Sequence, residues 1–183
     1  KEYHEVFSGN VIAQNRLKGV GFLSREDAIN YGVTGPSGRG SGWACDVRKR
    51  SPYAAYDKVQ FDEVLYNEGD SYARYMVRMK EIEQSLHILE QLVDNIPEGD
   101  YLAKTKPIIK VPEGRYFKEV EAARGAFGIY LESRGDKFPY RLKVNSPGFN
   151  LVGAVDHMTR GSKIADLIAI GASLDYVVPD IDR

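Results

Sequence analysis

One segment concentrates features suited to contacting a ligand. Gly32-Val-Thr-Gly-Pro-Ser-Gly-Arg-Gly-Ser-Gly-Trp43 holds five glycines and a proline in twelve residues, with Arg39 its only charge. Backbone amides beside a fixed guanidinium would suit an anion. The segment nevertheless lacks both the Gly-Lys-Ser/Thr ending of a phosphate loop and the Gly-x-Gly-x-x-Gly spacing of a dinucleotide site. Two readings stay open. Either this is a purely structural loop, or glycine lets the backbone approach a ligand or a neighbouring protein closely while Arg39 faces something anionic or polarisable. At that glycine density no regular element is expected.

Other candidates are weaker. Asp175, Asp180 and Asp182 near the end suit a metal or proton site, although acids in a terminal segment are usually solvated. Arg134-Gly135-Asp136 spells an adhesion tripeptide, but Gly and Asp between alternating strands are what a tight hairpin needs. His87 follows Glu83 by four residues, the spacing of a solvated helical pair. A single thiol, Cys45, excludes an intrachain disulfide framework and any chain-supplied thiolate cluster, and His4, His87 and His157 are scattered. No Ser/His/acid or Cys/His constellation stands in a supporting context. A component of a larger assembly, a stand-alone binding module and a hydrolase without an identifiable nucleophile remain, in that order.

The elements that must position these residues follow from composition and period. With 183 residues, 43 % hydrophobic and 28 % charged, the chain can build a core. Its halves carry no polybasic footprint for nucleic acid. No apolar run reaches the ~18 residues of a membrane span, and no leader is expected at Lys1, where the sequence already reads as structured; a fragment of a longer protein is the expectation. Ser24 with Asp27 reads as a capping box opening a short helix that Gly32 stops. Residues 70–95 read as one long helix, with Tyr72, Tyr75, Met76, Met79, Ile82, Leu86, Leu89, Leu92, Val93 and Ile96 on the face expected to be covered, and Arg74, Arg78 and Glu81 on the polar side. Residues 101–112 read as a Lys/Pro connector. Phe127–Leu131 and Tyr140–Val144 alternate as a hairpin, and Tyr116–Glu121 adds a third strand. Ser162 is expected to cap a last helix ended by Gly171, followed by an extended tail. The expectation is an α+β chain: a helical lobe over 1–99, a connector over 100–115, and a small antiparallel sheet with a terminal helix over 116–183.

Several blocks, in order, carry a resemblance: Ser24-Arg-Glu-Asp-Ala-Ile-Asn-Tyr-Gly-Val-Thr-Gly-Pro36, Arg39-Gly-Ser-Gly-Trp-Ala44, Asp46-Val-Arg-Lys49, Gly69-Asp-Ser-Tyr-Ala-Arg-Tyr-Met-Val-Arg-Met79, Lys163-Ile-Ala-Asp-Leu-Ile-Ala-Ile170 and Leu174-Asp-Tyr-Val-Val-Pro-Asp-Ile-Asp-Arg183. Together they resemble the D-type component of bacterial NADH:quinone oxidoreductase, the large, hydrogenase-like, 49 kDa-type subunit of complex I. The resemblance implies a hydrogenase-large-subunit-like fold and a part in electron transfer from a neighbouring iron–sulfur cluster to quinone. Proton translocation would belong to the whole complex. It implies that this chain binds no cofactor itself and is inactive alone, since the family's headgroup His and Tyr belong to the amino-terminal half. The implied partners are the B-type iron–sulfur subunit, the C-type subunit, the membrane subunits and quinone, at the cytoplasmic face of the bacterial membrane, with self-association of the isolated chain. Asp175 and Val177 are implied to line the quinone pocket, Arg39, Gly40 and Ser41 to form a cavity loop near the cluster, and Arg183 to pack the tail back into the protein. Nickel–iron hydrogenases hold their metal through a terminal Cys-x-x-Cys. Here the text is Asp175-Tyr-Val-Val178, so a nickel-free hydrogenase-like complex or a non-catalytic interaction module is the alternative. The connector also stands where many members carry a further helix with paired histidines.

Overall fold

The structure, a computed structural model, describes residues 2–182. It is an α+β chain in which one long helix, α5 (Ser71–Val93), runs beside a layer of short helices and a three-stranded antiparallel sheet. Asp70 starts α5 by accepting the Ala73 amide at 2.8 Å, the N-cap bond that its sequence position predicts. Before it come a π-helical turn at His4–Ser8 and helix α1 (Val11–Leu17), where the sequence suggested only a short apolar opening. Helix α2 (Arg25–Tyr31) follows the expected plan: Ser24 Oγ accepts from the Asp27 amide at 3.0 Å, and Gly32 closes it in the left-handed region at φ +67°.

The glycine-rich segment corrects the sequence expectation. It contains a helical turn, α3 (Gly35–Arg39), because Pro36 presets the first-turn φ and Thr34 enters extended. Glycine here serves packing. A Cβ on Gly35, whose φ is +68°, would stand 2.5 Å from the Gly125 Cα. The short α4 (Val47–Arg50) then leads towards α5.

The strands β1 (Gly114–Ala122), β2 (Gly125–Ser133) and β3 (Arg141–Asn145) lie in the order β1-β2-β3. Ala122 pairs with Gly125, so β1 and β2 meet at the two-residue turn Ala123-Arg124, and Leu131 pairs with Leu142. Two helices absent from the sequence reading follow, α6 (Pro147–Gly153) and α7 (Val155–Thr159). Helix α8 (Ile164–Leu174) is capped at Lys163 rather than Ser162, because Asp166 accepts the Lys163 amide. It continues through Gly171 and ends where Asp175 turns left-handed at φ +57°. The tail is not wholly extended: α9 (Val178–Ile181) forms one turn with Pro179 in its first positions.

The main core joins sequence-distant elements: Leu23, Ala28 and Val33 pack with Leu151, Ala154, Met158, Ile170 and Leu174. The long helix bares much of its expected face, although Tyr72, Tyr75, Met76, Met79 and Leu92 on it are half-buried. Ile82, Leu86, Leu89 and Val93 each expose more than half of their surface, while Ser71, Ala73, Arg74 and Val77 are buried against α3 and α8. Periodicity identifies residues that share a face; it does not say which neighbour covers it. At this end Ile88, with Leu92 beside it, finds apolar company against Val59 and Phe61. A bare apolar stripe on a long helix drives association in water. Light scattering on the purified chain is therefore expected to give masses above the monomer, and Leu86→Glu with Leu89→Glu is expected to return it to the monomer.

Candidate functional site

The α3 turn sends Arg39 inward, where the side chain is almost wholly buried. Its Nε donates to Glu81 Oε1 at 2.6 Å and its Nη1 to Glu121 Oε1 at 2.7 Å, tying α3 to α5 and β1. Glu121 also accepts the Val47 amide at 3.0 Å. Burial pulls the Arg39 guanidinium down, but the two carboxylates outweigh it and hold the cation firmly protonated. Glu121 shows the opposite balance: burial raises its carboxyl more than Arg39 lowers it. A polar hollow of about 180 Å³ lies against this triad, lined also by Arg48, Tyr56 and Ser85. Arg39 thus serves its own chain's carboxylates. Gly40 presses on α5, where a Cβ would meet the Arg74 amide nitrogen at 3.2 Å. Ser41 Oγ is buried without a hydrogen-bond partner among the described residues.

A second, apolar cleft of about 250 Å³ opens between the amino-terminal turn, α5 and the end of α8. Tyr3, Phe7 and Tyr75 supply its rings, Ser71, Arg78, Ser173 and Asp175 its polar groups. Asp175 is brought here by the left-handed end of α8 and is clamped from the β1–β2 turn: Arg124 Nε donates to the Asp175 carbonyl at 3.0 Å, and Arg124 Nη2 donates to Asp175 Oδ1 at 3.2 Å. Val177 is partly buried at the start of α9 and is not among the residues lining the cleft. Arg183 lies outside the described residues.

Three contributors went unrecognised in the sequence: Arg74, Arg78 and Arg124. Arg74 is fully buried and Arg78 partly so. A signal existed, since Ser71, Arg74, Arg78 and Glu81 recur at steps of three and four and so form their own helical face. Arg124 is read only once the hairpin turn is known.

The remaining candidates resolve into structural roles. His87 Nδ1 lies 3.9 Å from Glu90, while Glu83 pairs with Lys80 at 3.1 Å, so the expected partner is replaced by the acid three residues on. Arg134 stacks over the Tyr140 ring, 3.3 Å from its centroid, inside the hairpin. Ser146 Oγ bonds Asp180. Among the described residues no group of three or more His, Cys, Asp or Glu side chains could hold a metal ion. Cys45 is buried with its thiol towards the Gly35 carbonyl, and burial pushes it up to about 12. A thiol kept protonated is a poor ligand and a poor nucleophile. Iodoacetamide at neutral pH is accordingly expected to leave Cys45 unmodified until the chain is unfolded, as read by intact mass.

The profile of the respiratory-chain NADH dehydrogenase 49 Kd subunit matches residues 1–110 and 105–183, and the chain belongs to that family. Over the whole chain it is 69 % identical to the NADH-quinone oxidoreductase C/D subunit of Phocaeicola vulgatus, covering 35 % of that protein. It is 52 % identical to the NADH-quinone oxidoreductase D subunit of Desulfotalea psychrophila and 42 % identical to that of Clostridium beijerinckii, covering 50 % and 49 % of them. The chain therefore spans between a third and a half of the length of these relatives. No helix among the described residues is long and apolar enough to cross a membrane.

Proposed function

We propose that this chain is part of the quinone-reacting subunit of a proton-translocating NADH:quinone oxidoreductase, with a hydrogenase-large-subunit-like fold, and that its apolar cleft forms one wall of the quinone pocket. One observation carries the reading: in a chain of this family, aromatic and small side chains surround a cleft into which the clamped Asp175 projects. Val177, two residues beyond Asp175 and outside the cleft lining, is read as reaching the quinone pocket only in the assembled complex, and Arg39, Gly40 and Ser41 as shaping the neighbouring loop on the side of the cluster-bearing partner.

The donor set among the described residues fits neither an iron–sulfur cluster nor nickel, because both need several soft ligands and the chain's one thiol, Cys45, is held protonated. The cluster is accordingly assigned to the B-type iron–sulfur subunit, with the C-type subunit and the membrane subunits as further partners on the cytoplasmic side of the membrane. The residues here bind and orient. The rings of Tyr3, Phe7 and Tyr75 suit a flat apolar headgroup, and Asp175 sets the charge at its edge.

Asp175→Asn in the assembled complex keeps size and removes the charge. Quinone reductase activity or inhibitor sensitivity is expected to shift about tenfold, the scale of one charged contact, while electron transfer from NADH to ferricyanide, which reads assembly, is retained. Wild-type quinone kinetics and inhibitor titration would refute the assignment.

A further inference from the structure

Three arginines sit beneath the two cavities, and they are neutralised unequally. Arg39 has two carboxylates for one cation. Arg78 has none among the described residues: its Nη1 donates to the carbonyls of Ser173 at 2.7 Å and Arg74 at 3.2 Å, and its Nη2 to that of Leu174 at 3.4 Å. Arg74 is likewise held by the carbonyls of Gly69 at 3.0 Å and Gly21 at 2.8 Å and by the hydroxyls of Ser71 at 3.0 Å and Ser173 at 2.9 Å. Every acid facing the pair is engaged elsewhere. Asp70 accepts the amides of Ala73 and Gly19, Glu81 holds Arg39, and Asp175 pairs with Arg124. Burial lowers both guanidinium groups by more than the nearby acids raise them, Asp70 acting at Arg74 and Asp175 and Glu81 at Arg78, and with Arg78 adding to the effect Arg74 falls to about 9.

Two cations one helical turn apart, one fully and one partly buried, with hydrogen bonds only to carbonyls and hydroxyls, are costly when the acids near them are shared with other partners. Arg78 is directed to the cleft and Arg74 lies behind it. Arg78 lines the cleft, and Arg74 holds Ser71 and Ser173, which line it too. We propose that Arg78, backed by Arg74, holds an anionic or electron-enriched oxygen on a flat ring bound in the cleft, with Asp175 as the opposing charge that limits this preference. The ligand class is thus an ionised quinone-type ring, and the proposal rests on the quinone reading above. A guanidinium suits the role because its planar fork satisfies carbonyls with some donors and stays charged.

The test uses the assembled complex in membranes and two competitors of quinone reduction: 2-hydroxy-1,4-naphthoquinone, which is ionised at neutral pH, and its methoxy analogue, which cannot ionise. The readout is the ratio of their inhibition constants. Wild type is expected to favour the ionised compound by about tenfold, the range of a charge-assisted contact. Arg78→Met is expected to abolish the preference, Arg78→Lys to keep part of it, and Asp175→Asn to increase it. Should Arg78→Met fail to assemble, the other two variants carry the decision. A wild-type ratio near one, or a ratio that none of the variants moves, would overturn the anion site while leaving the quinone reading intact. If neither compound competes, the quinone reading falls and the proposal with it.

Discussion

Replacing Arg39 with methionine is expected to lower the folding stability of the chain by about 3–5 kcal/mol, the range for removing one partner of a buried ion pair. The reason is what stays behind. Glu81 and Glu121 would face each other with no cation between them, and Glu121, nearly buried, would keep only the Val47 amide. Urea unfolding followed by Trp43, the only tryptophan, reads the segment directly. The pH dependence has a definite sign. The Glu121 carboxyl is already raised above its ordinary 4.5 by burial, and losing Arg39 raises it further. A raised acid favours the fold when protonated, so its contribution is present at low pH and lost as pH rises through the folded value. The deficit of Arg39→Met relative to wild type is therefore expected to shrink on acidification from neutral pH. A deficit below about 1 kcal/mol, of the size found for exposed pairs, would contradict a buried triad.

Gly35→Val is expected to be comparably damaging, at about 3 kcal/mol or more, because overpacking and a left-handed backbone act together. The added Cβ would fall 2.6 Å from the Arg124 carbonyl and 2.5 Å from the Gly125 Cα, both backbone atoms that cannot rotate away. This contact docks the α3 turn on the β1–β2 turn, which carries Arg124 to Asp175 and follows directly on the end of β1 that brings Glu121 to Arg39. Gly135→Ala is the control. Its φ is +80° but nothing lies within 4 Å of the added methyl, so only the backbone cost of about 1–2 kcal/mol remains. Equal losses at the two positions would show that close approach is not what requires glycine at 35.

What was legible in the sequence was local. Ser24 with Asp27 and Gly32 mark both ends of α2 because caps act within one turn, and period-two alternation gives the β2–β3 hairpin. Helix α5 was legible as a helix, but not its inner face, since the residues that cover it at Ser71, Arg74 and Arg78 come from α3 and α8. The glycine-rich stretch hid the α3 turn because propensity weighs glycine against helix, whereas Pro36 and close packing favour it here. Arg39 could be picked out as the only charge in its segment; its partners lie 42 and 82 residues away and follow no short-range spacing. Asp175 reached the candidate site through family resemblance, and its clamp Arg124, 51 residues away on a hairpin turn, had no sequence signal of its own.

The cleft between α5 and the end of α8, read as part of a quinone site, is the centre of the proposed function. Photolabelling of the assembled complex in membranes with an azido-substituted short-chain quinone tests it most directly, with the labelled residues located by peptide mass spectrometry. Label is expected on the segments carrying Tyr75 and Arg78 or Ala169 to Asp175, and is expected to be lost when excess unmodified quinone is present. Label confined to other surfaces of this chain, such as the β2–β3 hairpin, or label in the cleft that excess quinone does not displace, would contradict it.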